Sequence, residues 1–128
     1  MIKTEKLCKK FGSIQAVDCI SLTIDDNSIF GLAGTNGAGK STFLRMLSGV
    51  LKPDSGKIEV DEAAVYENPK IKEEIFFLPD TSYFFQNATI EDMADFYSAY
   101  YPRYDRKRMT KLLGKISLDS ERKNSTFS

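Results

Sequence analysis

Residues 34–41 read Gly34-Thr35-Asn36-Gly37-Ala38-Gly39-Lys40-Ser41. A glycine, four residues, a second glycine, then lysine and serine is the pattern of a loop that cradles a polyphosphate. A triphosphate brings several negative charges that must be met at short range without a wall of side chains. Glycines let the backbone wrap so that successive N–H groups point inward, and a helix that follows adds the positive end of its dipole. Lys40 supplies a mobile point charge for the β- and γ-phosphates, and Ser41 a hydroxyl for a Mg2+ ion that bridges them. The competing reading is a glycine-rich strand-to-helix turn without a ligand, which has no use for lysine followed by serine.

Such a loop works only between an apolar strand and an amphipathic helix, and the flanking residues provide both. Ile29, Phe30, Gly31, Leu32 and Ala33 form a nearly all-apolar run, expected as a parallel strand covered on both faces. After the loop, Phe43, Leu44, Leu47 and Leu51 recur at helical spacing, with Gly49 as a place for the helix to end. Upstream, the chain reads as strands. Ile20, Leu22 and Ile24 alternate with Cys19, Ser21 and Thr23, so Val17 is expected on the second, outward set, and Asp25 to Ser28 make a turn. Pro53-Asp54-Ser55-Gly56 is a turn leading into a short strand from Lys57 to Val60, and Ile75 to Leu78 is a second buried-strand candidate stopped by Pro79. Thr89 to Tyr101 is expected as a helix opened by a capping box of Thr89 and Asp92, and Arg106 to Ile116 as a second, basic helix.

Composition bounds the chemistry further. The 128 residues carry 18 Lys plus Arg against 18 Asp plus Glu and no His. Zero net charge argues against a nucleic-acid coat protein, and no nucleic-acid partner is expected. Without histidine, Ser-His-Asp hydrolysis, His-ligated zinc and His-based pH switching have no residue to work with in this chain. From Tyr101 onward eight basic residues face three acids, which makes that end a solvated helix face or a partner surface. Cys8 and Cys19 sit in no metal-ligand spacing and are expected to fill space in adjacent strands rather than to bridge. No apolar stretch reaches the roughly 20 residues of a membrane span.

The stretch from Phe30 to Thr42, followed by Leu47-Ser48-Gly49 and by Pro53-Asp54-Ser55-Gly56-Lys57-Ile58, closely resembles the ATP-binding subunit of an ABC transporter. The likeness runs from the first strand to the last residues. It implies an α/β fold: a P-loop NTPase (RecA-like) core with an N-terminal antiparallel β subdomain and part of a helical subdomain, together an incomplete ABC ATPase domain over residues 1–128. Residues 1–79 would be the β subdomain and loop core, 80–88 the segment that normally carries a Mg2+-contacting Gln, and 89–128 the start of the helical subdomain. The resemblance makes ATP and Mg2+ the cofactors. It assigns Gly34, Thr35, Asn36, Gly37, Ala38, Gly39, Lys40, Ser41 and Thr42 to the nucleotide, with Ser41 also on the metal.

It further implies that Phe11, just before the second strand, stacks on adenine, the alternative being ordinary packing in a small sheet. Where the family has its Gln, this chain has Pro79-Asp80; an Asp also meets Mg2+ through oxygen, but it is one methylene shorter and adds a negative charge, so a water-mediated role or a plain turn role stands equally beside direct metal contact. The aromatics Tyr83, Phe84, Phe85, Phe96, Tyr97, Tyr100 and Tyr101 lie where the family receives a cytoplasmic helix of its membrane subunit, although a Met93, Tyr97, Tyr101 stripe is also the pattern of a subdomain core. Thr126-Phe127-Ser128 resembles the lead-in to the family's signature element, and no apolar strand ending in Asp-Glu follows within the chain.

The expectation is therefore a chain that binds ATP but does not turn it over. The intact protein would be an ATP hydrolase driving transport, as a dimer of two ATP-binding subunits on the cytoplasmic, inner face of the membrane with a membrane-spanning partner. A soluble cassette ATPase of translation or DNA maintenance and a non-hydrolysing nucleotide-binding module are the alternatives.

Overall fold

A computed structural model describes residues 1–80, 85, 87–119 and 121. The chain divides into two compact units, Met1–Phe77 and Leu78–Ser128. The first is built on strands β1 (Ile2–Phe11), β2 (Ile14–Ile24), β3 (Ser55–Val60) and β4 (Ala63–Ala64), with helices α1 (Lys40–Leu47) and α2 (Pro69–Lys72). The sheet runs β2-β1-β3-β4 with every pairing antiparallel, so β2 is an edge strand.

Its core is a cluster of Leu7, Val17, Phe43, Met46, Ile58 and Val65. At eight residues α1 is too short to be stable alone in water; burial of Phe43 and Met46, 2% and 1% exposed, against the sheet holds it. Each such side chain contributes about 1.5–3 kcal/mol on leaving water. Buried Thr4 is satisfied on both counts: its hydroxyl donates to the Ile20 carbonyl at 3.3 Å and accepts from Leu22 N–H at 3.1 Å.

The alternation expected along β2 holds from Ile20 to Ile24 and then reverses. Val17, placed on the outward set, is buried. The reason lies in the ladder, which slips between Thr4 and Leu7, between Leu7 and Lys9 and between Lys9 and Lys10. Lys6 (φ 44°) and Cys19 (φ 47°) adopt left-handed backbone conformations there. A bulge of this kind shifts the two-residue phase of a strand, so residues before and after it face the core with opposite parity.

Cys8 and Cys19 do lie on adjacent strands, but they do not fill the core. Cys19 is exposed, Cys8 half-buried, and both are free. Hydrogen bonds from Ser55, then from Cys19, hold the Cys8 thiol below its ordinary pKa, while Cys8 beside it pushes that of Cys19 up.

Neither apolar run that borders a loop forms a ladder. Residues 29–33 and 75–78 carry no strand pairing among the described residues. Leu32 and Ile75 pack on the core cluster, whereas Ile29, Phe30 and Phe76 face solvent. A central parallel strand is defined by neighbours on both sides, and the described residues of this unit include none for these runs.

The second unit contains α3 (Ile90–Tyr100) and α4 (Arg106–Lys115). The capping box read from the sequence is formed: Asp92 N–H donates to Thr89 Oγ1 at 3.1 Å, and Thr89 N–H donates to Asp92 Oδ2 at 2.8 Å. These bonds, the backbone one first, keep the Asp92 carboxyl below its usual pKa. Asp105 caps α4 by accepting from Arg108 N–H at 2.9 Å. Arg106 at the start of α4 ion-pairs with Glu91 and Asp95 of α3, while Lys107, Arg108, Lys111 and Lys115 are exposed.

Candidate nucleotide-binding site

Residues 34–39 form the turn that leads into α1, which begins at Lys40. Gly39 is the N-cap, in the left-handed region at φ 80°, ψ 3°, and no side chain caps the helix. By contrast, α2, α3 and α4 are closed by Asn68, Thr89 and Asp105. The first N–H groups of an α-helix have no carbonyl partner inside it. At α1 they are left to an outside acceptor, and no acidic residue stands in the first turn. An anion is the acceptor that such an end favours.

Why glycine is required at 39 is visible in the packing. A Cβ built there would sit 1.9 Å from the carbonyl oxygen of Ala16 on β2. The loop is therefore pressed directly on the outer edge of the sheet, which fixes where the N-terminus of α1 points. Gly37 is also left-handed, at φ 83°, but a Cβ there meets nothing within 4 Å. Behind the cap, Phe43 N–H donates to the Gly39 carbonyl at 2.8 Å, and Ala38 N–H to the Thr35 carbonyl at 3.2 Å.

Lys40 folds back over the loop. Its Nζ donates to the carbonyls of Gly34 at 2.6 Å and Thr35 at 2.7 Å. These two contacts place the ammonium across the mouth of the loop. Ser41 is exposed in the first turn, and Thr42 half-buried. The donor set fits Mg2+ in the way the sequence suggests: one hydroxyl oxygen from the chain, the remaining positions being left to phosphate oxygens and water.

Phe11 ends β1, paired with Ile14 across the hairpin turn. Half of its surface is exposed. Ile14 lies two residues, about 7 Å along an extended strand, from the Ala16 carbonyl that Gly39 touches. The hairpin tip carrying Phe11 thus borders the loop. Lys9 Nζ stands 5.7 Å from the centre of the Phe11 ring and 2.7 Å from Asp54, fastening the base of the tip to the turn before β3.

Asp80 is exposed near the start of the second unit. In that unit the aromatics differ in burial, with Phe96 and Tyr97 in edge contact at 5.6 Å. Met93 is buried and Tyr97 and Tyr101 are half-buried, the inward stripe expected from spacing. Phe85, Phe96 and Tyr100 are exposed, and the Phe96 ring centre lies 4.9 Å from each of the other two. Tyr83, Phe84 and Thr126 to Ser128 lie outside the described residues. The close approach of Gly39 to Ala16 is a feature that the sequence pattern did not reveal.

Comparison with known proteins bears on the same segment. The family model for the ABC transporter matches residues 17–128. The chain belongs to the ABC transporter family. Its sequence is 32% identical over 123 residues to the ABC transporter ATP-binding protein YtrB of Bacillus subtilis (strain 168), covering 96% of this chain and 42% of that protein. It therefore spans less than half the length of this relative. In fold it is similar to the ATP binding subunit of an ABC transporter, with a TM-score of 0.87 at 20% identity over 99% of this chain and 55% of that one. A second solved structure, the ATP-binding cassette MJ0796 in a dimeric post-hydrolysis state with ADP and Pi, gives a TM-score of 0.71 at 22% identity, covering 100% and 63%. Family and fold both agree with an α/β P-loop NTPase domain carrying an N-terminal antiparallel sheet.

Proposed function

We propose that residues 34–42 bind the phosphates of ATP, with Lys40 on the β- and γ-phosphates, Ser41 on Mg2+ and Phe11 stacked on adenine. The observation that carries this reading is the uncapped start of α1, seated by a glycine whose Cβ would meet the Ala16 carbonyl and spanned by a lysine. Bound phosphate would take over from the Gly34 and Thr35 carbonyls as the partner of Lys40, a bond between two opposite charges in place of two to neutral acceptors.

In the intact protein we assign the chain to the energy-coupling subunit of a transporter: 1–79 as β subdomain and loop core, 80–88 as the linking segment, 89–128 as the start of the helical subdomain. Family membership favours transport over a soluble role in translation or DNA maintenance. ATP hydrolysis would occur in a dimer of ATP-binding subunits, the state in which the related cassette MJ0796 was solved. The exposed group of Phe85, Phe96 and Tyr100 suits a surface that receives a helix of a membrane-spanning partner. Among the described residues no helix is long and apolar enough to cross a membrane, and the chain would act from the cytoplasmic face through that partner. The 128-residue chain alone would bind ATP without steady-state turnover.

Equilibrium titration with MgATP tests the core of this reading. Lys40→Ala should weaken binding about 10- to 100-fold, the value of a hydrogen bond to a charged group. Unchanged affinity would remove the loop from the site.

A further inference from the structure

The left-handed conformation of Cys19 does more than shift the phase of β2. In a regular strand Asp18 and Cys19 would project to opposite faces. Here the bulge turns both toward Cys8 on β1. The two sulfurs are 3.2 Å apart, Cys19 N–H donates to Cys8 Sγ at 3.2 Å, and the two Sγ atoms and an Asp18 carboxylate oxygen all lie within 4.8 Å of one another. Asp18 and Cys19 are exposed, so the group opens to solvent.

We propose that Cys8, Cys19 and Asp18 form a surface site for a thiophilic divalent cation of the zinc class, with two thiolates and one carboxylate as ligands and water in the fourth position. Binding would form two metal–sulfur bonds and release two thiol protons to solvent. The geometry favours a metal over the other chemistry open to paired thiols. Tetrahedral coordination with metal–sulfur bonds of about 2.3 Å puts the sulfurs about 3.8 Å apart, so the present separation needs to widen by only about 0.6 Å. A disulfide needs the sulfurs to close to about 2.0 Å, twice that movement, and it has no role for the carboxylate. Two sulfurs with one oxygen select a borderline or soft ion over Mg2+ or Ca2+. The site is independent of the nucleotide reading, although it clasps the two strands that border the phosphate-binding loop.

The test is a titration of the reduced, nucleotide-free chain with Cd2+, read by the thiolate-to-cadmium charge-transfer band, and with Zn2+ in weak buffer, read by proton release. A saturable band at one ion per chain and release of about two protons per Zn2+ are expected. Cys19→Ser should abolish the band. Asp18→Asn should keep it and weaken binding by roughly tenfold. Both substitutions are close in size to the residue removed and lie at exposed positions, and the proton count on the unsubstituted chain does not depend on them. A band that survives Cys19→Ser, or no saturable band in the reduced chain, would overturn the site. So would a chain that takes up no metal and only loses two hydrogens by mass on exposure to air, the mark of a disulfide pair.

Discussion

Replacing Gly39 by Ala while using Gly37→Ala as its control isolates the contact that orients the loop. Both residues are left-handed, at φ 80° and φ 83°, so either substitution carries the backbone penalty of a side chain there, about 1–2 kcal/mol. Only at Gly39 does the new Cβ also meet an atom, the Ala16 carbonyl oxygen at 1.9 Å; at Gly37 nothing lies within 4 Å. Ordinary carbon–oxygen contacts begin near 3.3 Å, so loop and β2 must separate by about 1.4 Å. Forced displacements of packed structure cost about 1–3 kcal/mol. Gly39→Ala is thus expected to destabilise the first unit by about 2–5 kcal/mol against about 1–2 for Gly37→Ala. With a urea dependence of about 2 kcal/mol per molar, the two unfolding midpoints by circular dichroism should differ by about 0.5–1.5 M. Equal midpoints would refute the claim that the loop is seated on the edge of β2.

Further outcomes follow from other parts of the structure. Phe11→Ala should weaken ATP binding by about 1–3 kcal/mol, as measured for lost base–aromatic stacking, yet leave inorganic triphosphate binding unchanged; a parallel loss for both ligands would exclude stacking. Thr89→Ala should cost the second unit about 1 kcal/mol through its lost cap, seen as a lower helix signal on mild denaturation. The Asp92 carboxyl has a folded pKa below its unfolded one, so its contribution is full above the unfolded value and fades as pH falls through the folded value. Helicity of α3 should therefore drop below about pH 4, and Asp92→Asn should flatten that profile. Arg106→Ala should change stability by less than about 1 kcal/mol, because its pairs with Glu91 and Asp95 are exposed.

What could be read from sequence was whatever is encoded locally. The loop is a contiguous run of residues whose order carries its chemistry, and Thr89 meets Asp92 within a single helical turn. The apolar runs at 29–33 and 75–78, expected as strands, form none among the described residues, since a strand is a relation between segments and apolarity alone does not supply the partner. The burial of Val17 and the meeting of Asp18 with both cysteines depend on a left-handed cysteine, a conformation that no pattern of side chains announces. The need for glycine at 39 arises from a carbonyl twenty-three positions upstream. Phe11 was legible as a candidate only through resemblance, and its exposure at the hairpin tip is what separates it from the core.

The central claim is that the backbone at the start of α1 holds the phosphates of a nucleotide. Amide chemical shifts of the chain, followed as MgATP is added, test it most directly. The N–H signals of Gly37, Gly39, Lys40 and Ser41 are expected to move together and saturate, with Lys40→Ala shifting the midpoint about 10- to 100-fold higher in MgATP. Binding that moves other amides and leaves these four in place would contradict it.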